Sequence, residues 1–353
     1  RLGDFYEMFF EDAELCSREL ELALTGKNAG LEERVPMCGI PYHSYLGYLD
    51  KLVEKGYKVA ICEQLTDPKA TKGMVERDVI QVVTKGTIMD SNLGEKDSNY
   101  IGNIYDFEYC YGISYADITT GYFYCLLIPN DKGKLISEII NRGIREIIVN
   151  SKIDREIVNT LRENYHLLIT ITDNIYEGSK YKDVYSEISD IRLVTTIKHL
   201  LDYIISVKKG DLSHFQRAEV INLSNYLLFD IHTKKNLELV ETMRLRERTY
   251  SLLWLLDKTK TAMGGRFLKE SIENPLTDVK EIKRRYSIIE TLLTEFILRE
   301  ELREVLNNVY DLERLSSRIC YGNLNGRDLI QLKTTLKSLP RINEILTSLN
   351  YGK

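Results

Sequence analysis

No apolar run in the 353 residues approaches the roughly 18–20 residues of a membrane span, and no secretory leader is expected ahead of the first folded segment. Paired cysteines are also missing. Cys16, Cys38, Cys62, Cys110, Cys125 and Cys320 never form a CxxC spacing, so they read as reduced, mostly buried thiols of a cytoplasmic protein. His43, His166, His199, His214 and His232 show no metal spacing with one another or with cysteine. Cys38 and His43 lie five apart but lack further partners for a zinc ion. The phosphate cradle GxxxxGK[ST] is absent. Gly264-Gly265-Arg266 is too short to replace it and reads as a helix break. Neither GxSxG nor a local Cys/His signature occurs. No catalytic, metal-ligating or cofactor-binding residue is therefore expected in this chain.

A basic field is lacking as well. The net charge is −5, and residues 1–90 carry 11 Lys and Arg against 16 Asp and Glu. Residues 91–205 carry 12 against 17, whereas 206–353 carry 25 against 20. Any nucleic-acid contact in the first two thirds must come from a few placed basic side chains.

What the sequence does have begins at GDFYEMFF, Gly3 to Phe10. Read as a strand, it sends Phe5, Glu7 and Phe9 to one face and Tyr6, Met8 and Phe10 to the other. The second set is an ordinary core face. The first puts a carboxylate among aromatic rings, where a strand phenylalanine is usually core and a strand glutamate usually a solvated edge residue. Residues 11–24 predict an amphipathic helix and 25–34 a hairpin tip. Residues 35–43 predict an irregular strand, 44–56 a helix capped by Gly56, and 57–64 and 79–84 two strands. Together 1–84 read as an α/β domain.

Residues 85–97 lack periodicity and suit a linker. Strand-like runs at 100–109, 111–118 and 121–128 follow, then a helix near 132–142, a strand at 145–150 and a long amphipathic helix or helix pair over 187–209, so 98–215 read as a second α/β unit. From 216 to 353 the pattern is helical. Val279, Ile282, Tyr286, Ile289, Leu293 and Phe296 lie at threes and fours, Thr277-Asp278 with Glu281 resembles a capping box, and Pro275 and Pro340 mark breaks. Long helices with one apolar face predict a bundle or lever assembly. Asp117, with Asp106 and Glu108 nearby, raises a nuclease-type metal site, but a third acid at a readable position is lacking and a strand-end turn explains Asp117.

The stretches GDFYEMFF (3–10), VPMCGIPYH (35–43), VAICEQLTDP (59–68), KGMVERDV (72–79) and VTKGT (83–87) occur in one order. KKNLEL (234–239), DKTKTAMGGRFLKESIENPL (257–276) and YDLERLSSRI (310–319) continue it. This set resembles the MutS family of DNA mismatch-repair proteins along essentially the whole chain, most weakly over 130–215. The resemblance implies a multidomain α/β plus all-α chain. It comprises a mixed-sheet mismatch-binding domain (1–84), a linker (85–97), a ribonuclease-H-like α/β connector without a nuclease site (98–215) and the first part of a helical core or lever (216–353). It also implies a fragment. A helix and strand would precede Arg1, and the clamp, the returning core helices and a dimerising ATPase domain with ATP and magnesium would follow Lys353.

By the same resemblance Phe5 is a wedge that stacks on a mispaired base from the minor groove, and Glu7 reaches that base's edge; as a further hypothesis of our own, Glu7 carries or shares a proton where it meets an acceptor. Lys27, Met37, Lys72 and Arg77 fall where the family approaches backbone or groove. Here Gly26 replaces the first of the commoner basic pair at the hairpin. The implied partners are double-stranded DNA with mispairs or unpaired bases, a MutL-type protein through the connector, and a second copy in the intact, nucleoid-associated bacterial protein. A scaffold paralogue that binds branched DNA or protein partners without reading mismatches is the alternative. Such paralogues typically lack the Phe-x-Glu pair, and both residues are present here.

Overall fold

A computed structural model describes residues 1–28, 30, 33–66, 75–88, 94 and 96–351. Its first unit runs β1 (Phe5–Phe9), α1 (Phe10–Leu20), β2 (Thr25–Lys27), β3 (Val35–Pro41), α2 (Tyr45–Glu54), β4 (Val59–Gln64) and β5 (Arg77–Val83). β3 lies between β1 and β2 in an antiparallel three-stranded sheet, and β4 pairs with β5 separately. The alternation along β1 decides what is buried. Met8 packs with Ala13, Cys16 and Leu20 of α1, and Tyr6 packs with Leu49 and Val53 of α2, Ile61 and Val83. Phe10 departs from the expected core face: the alternation stops at Phe9, and Phe10 becomes the first residue of α1. Its φ of 52° is costly for an aromatic residue, and its side chain is 59% exposed.

The second unit contains β6 (Tyr100–Asp106), β7 (Cys110–Asp117), β8 (Phe123–Pro129), α3 (Lys132–Asn141), β9 (Ile144–Val149), α4 (Arg155–Glu163), β10 (Leu168–Ile171), α5 (Ile191–Lys208) and β11 (Glu219–Val220). The mixed sheet has the order β10-β9-β6-β7-β8-β11, with β6, β7 and β8 antiparallel and β9 and β10 added in parallel. Its last edge strand, β11, comes from beyond residue 215, the boundary expected from the sequence. Leu193, Ile197, Leu200 and Ile204 of α5 cover one face, while Leu135 and Ile139 of α3 and Ile157 and Leu161 of α4 cover the other. Asp117 is the last residue of β7 and leads into a turn. Its carboxylate accepts hydrogen bonds from the Thr119 backbone and hydroxyl and from the Asn99 backbone.

A polar network lies under α5. The Asn103 side-chain oxygen accepts from Ser114, and its amide nitrogen sits 2.9 Å from Nδ1 of buried His199. His199 Nε2 lies 2.8 Å from the Thr172 carbonyl, which can only accept. The ring therefore carries its hydrogen on Nε2 and is neutral, and burial lowers its pKa. A lowered folded pKa means stability that is fully present above the unfolded value of about 6.5 and is lost as pH falls toward the folded value. The urea midpoint of wild type is expected to drop between pH 7.5 and pH 5 by more than that of His199→Gln. An equal drop in both would show that His199 does not titrate on unfolding.

The remaining elements are helical: α6 (Ile231–Asn236), α7 (Leu252–Leu256), α8 (Ala262–Glu273), α9 (Val279–Thr294), α10 (Phe296–Leu306), α11 (Leu312–Cys320) and α12 (Gly326–Ser348). Two breaks expected from the sequence are absent. Gly264-Gly265-Arg266 lies in the first turns of α8, where Thr261 caps the Gly264 N–H and the Lys96 side chain passes over Gly265. Helix α12 continues through Pro340, with helix on both sides of it and packing against α10 and α11. The reciprocal capping box is Asn325 with Asp328. At α9, Asp278 caps alone, because Glu281 turns to Arg284 and Arg285. No described helix is long and apolar enough to cross a membrane.

Candidate nucleic-acid interface

Register on the first sheet assembles the site. Phe5, Glu7 and Phe9 of β1 lie opposite Pro41, Gly39 and Met37 of β3, and Met37 lies opposite Thr25 of β2. Directly opposed residues in antiparallel strands share a face. Phe5, Glu7, Phe9 and Met37 thus stand on the side away from Tyr6 and Met8. Gly39 is the floor between them. A methyl group built there would lie 3.7 Å from the Phe5 ring, 3.6 Å from Glu7 Cγ and 3.4 Å from the Tyr6 carbonyl oxygen. The missing side chain lets ring and carboxylate stems lie close together over the strand. Phe5 is 46% exposed, so its ring is presented to solvent rather than consumed by the core. Tyr6 is held on the opposite face by the Tyr45 ring at 4.9 Å and by donating its hydroxyl to Glu63.

Glu7 does not face solvent alone. Lys27 Nζ lies 2.5 Å from its Oε2, with side-chain exposures of 42% for the lysine and 15% for the glutamate. The same ammonium stands 5.6 Å from the centre of the Phe9 ring. Lys27 is the last residue of β2, so the hairpin carries a cation back across β3 to β1. Partly exposed pairs of this kind contribute about 0–1 kcal/mol and are readily opened. On the other side of the hairpin, Gly26 leaves space that Arg34 fills: a methyl group there would lie 3.0 Å from Arg34 Cβ and 3.6 Å from its Cδ. A second basic side chain therefore lies beside the position where the sequence has glycine.

Among the residues singled out in the sequence, Phe5, Glu7, Lys27 and Met37 come together on this sheet. Arg77 does not join them. It begins β5 in the other sheet, opposite Gln64, and its guanidinium donates to the carbonyls of Arg1 and Val75. Lys72 lies outside the described residues. Sequence reasoning placed Phe9 on this face without singling it out, and it missed Gly39 and Arg34. A glycine inside the strand-like VPMCGIP was a usable signal for close approach. Arg34 had none, because only the hairpin pairing sets it against Gly26. Among the described residues, no group of three or more His, Cys, Asp or Glu could hold a metal ion.

Comparison with known proteins covers nearly the whole chain. Residues 1–92 match the family described as MutS domain I, residues 99–216 MutS domain II, and residues 232–352 MutS domain III. The chain is 46% identical over 354 residues to the DNA mismatch repair protein MutS of Bacillus subtilis (strain 168), covering 100% of this chain and 41% of that protein. The protein of that name from Bacillus licheniformis is 45% identical over 354 residues, covering 100% and 40%. That from Geobacillus thermodenitrificans is 46% identical over 353 residues, covering 99% and 38%. The chain thus spans about two fifths of the length of these relatives. With all three domain families matched in order, the chain belongs to the MutS family and carries its domains I, II and III.

Proposed function

We propose that this chain is the mismatch-sensing part of a DNA mismatch-repair protein and that Phe5 and Glu7 read the lesion. The observation that carries this reading is the half-exposed Phe5 ring beside the Glu7 carboxylate over Gly39. An aromatic ring pushed into the minor groove unstacks a base step at a cost of a few kcal/mol. Stacking on the displaced base returns about 1–3 kcal/mol. On paired DNA these terms cancel or lose. At a mispair or unpaired base, part of the pairing and stacking is already gone, so the same deformation is cheaper. One ring thereby serves many mispairs, since the selectivity resides in the weakness of the DNA.

Glu7 adds the second discrimination. A carboxylate near phosphates is repelled and desolvated, and a hydrogen bond to a base edge offsets that only where the edge has been released from pairing. It carries or shares a proton where the base atom it meets is an acceptor. Met37, on the same face, lines the approach. Arg77 is a proposed backbone or groove contact outside this cluster, and Lys72 is proposed as another such contact.

The connector's strand order, three antiparallel strands extended by two parallel ones, supports a ribonuclease-H-like fold. We assign to it the docking of a MutL-type partner. ATP hydrolysis with magnesium, and pairing of two copies, belong to parts of the intact protein outside these three domains.

The deciding experiment titrates the intact protein with a G·T-mismatched and a matched duplex at one fixed salt concentration. Preference for the mismatch is expected. Equal affinity for the two, with tighter binding to a branched junction, would overturn the reading in favour of a scaffold paralogue.

A further inference from the structure

The Lys27–Glu7 pair is built across a hairpin, lies at the mouth of the candidate site and is anchored asymmetrically. The glutamate is the more buried partner and is fixed on the central part of β1, while the lysine is the more exposed and ends β2. Among the described residues, its ammonium has no second carboxylate partner. The additional neighbour is the Phe9 ring, at 5.6 Å. A lysine is a compact point charge on a flexible four-carbon stem, so it can leave one anion for another without moving the backbone. Two anions compete for it when DNA arrives: the Glu7 carboxylate and a backbone phosphate.

We propose that Lys27 is an exchangeable counter-ion and a specificity-determining residue: it neutralises Glu7 in the free protein and moves to a phosphate only when Glu7 has found a displaced base. This rests on the mismatch reading of Phe5 and Glu7. Closed, the pair presents no net charge to the approaching polyanion, so repulsion of the duplex by Glu7 is reduced during the search and the penalty left at a matched site is the desolvation of the pair. At a matched site the base edges are engaged in pairing, Glu7 finds no replacement for the ammonium, and Lys27 stays. At a mispair the base edge takes over one side of Glu7, Lys27 is released to a phosphate, and one further ionic contact forms. Specificity therefore includes a phosphate contact that is made conditionally, although phosphate contacts by themselves carry no sequence information.

Counter-ion release makes this measurable. Each phosphate neutralised steepens the fall of log K with log salt by about 0.9 on duplex DNA. For the intact wild-type protein, the salt dependence on a G·T duplex is expected to be steeper than on the matched duplex by about one such contact. Lys27→Met is expected to abolish the difference by lowering the mismatch slope, and Lys27→Arg to retain it. Glu7→Gln, which frees the lysine in advance, is expected to raise the matched slope to the mismatched one. Thermal melts of each variant establish that the fold is retained, and the 42% exposed lysine side chain makes loss of folding by Lys27→Met unexpected. Equal wild-type slopes, or a difference that survives Lys27→Met, would overturn the exchange alone. Absence of any mismatch preference would overturn the exchange together with the reading beneath it.

Discussion

Replacing Phe5 by alanine in the intact protein is expected to lower the ratio of mismatched to matched affinity by roughly 5- to 150-fold, the equivalent of losing about 1–3 kcal/mol of stacking. Matched binding should change little, because it rests on contacts to the backbone and not on insertion of the ring. The structure makes this test interpretable. Phe5 is 46% exposed and contributes to neither of the two small cores of its unit, where Tyr6 and Met8 pack with residues of α1, α2, β3, β4 and β5. The melting temperature should therefore stay near that of wild type. Tyr6→Ala is the contrasting control. It would remove the ring packed on Tyr45 and the hydroxyl bonded to Glu63, and so destabilise the unit itself. If Phe5→Ala lowers both affinities together with the melting temperature, Phe5 supports the sheet and does not enter DNA.

The second large effect is expected far from that ring. Glu146 of β9 is fully buried, yet among the described residues no lysine or arginine forms an ion pair with it. Its Oε2 accepts the Gly86 N–H at 3.0 Å and the Thr84 hydroxyl, and its Oε1 accepts the Tyr203 hydroxyl at 2.6 Å. Thr84 and Gly86 form the turn that leaves β5, and Lys58, just before β4, donates to Tyr203 at 3.0 Å and to Thr170 at 2.7 Å. One carboxylate thus clips the exit of the first unit onto the sheet of the second. Glu146→Ala strips three buried donors of their acceptor. At about 1–3 kcal/mol for each unsatisfied group, some of them rehydrated, a loss of about 3–5 kcal/mol is expected. Glu146→Gln retains an acceptor oxygen and should lose less.

Gly86→Ala attacks the same contact from the other side, since its methyl group would lie 3.0 Å from the Cβ atoms of both Glu146 and Ile101. Urea unfolding and limited proteolysis around residues 84–88 measure these effects. For Glu146→Ala, faster cleavage with mismatch preference lost is the expected pair of results. Unchanged cleavage would show that Lys58 and the packing of Tyr203 hold the units together without the carboxylate.

Much of the candidate site was legible in the amino-acid order. Alternation along FYEMF places Phe5 and Glu7 on one face whatever the partner strand, because the period of a strand is a property of its own backbone. The same local logic located α5 and α9, whose apolar residues recur at threes and fours. It failed where a neighbour outweighed the local signal. Phe10 continued the strand pattern but became a helix residue, and Pro340 read as a stop but sits inside α12, which packing on α10 sustains. The span 85–97 read as a linker because it lacks periodicity. Yet Gly86 and Thr87 are held in the Glu146 turn, and Lys96 and Asp97 pair with Asp257 and Lys269 of the helical unit.

The sequence by itself determined the family and the pairing of ring and carboxylate on β1, since each depends on residue types and short spacings. Tertiary structure alone decided that Lys27, 20 residues from Glu7, would be its counter-ion, that Gly39 would lie beneath both site residues, and that Glu146 would hold a turn 62 residues earlier in the chain. These contacts depend on strand register and on how one unit packs against the next. Register is set by the burial of a whole face, which no short stretch of sequence contains.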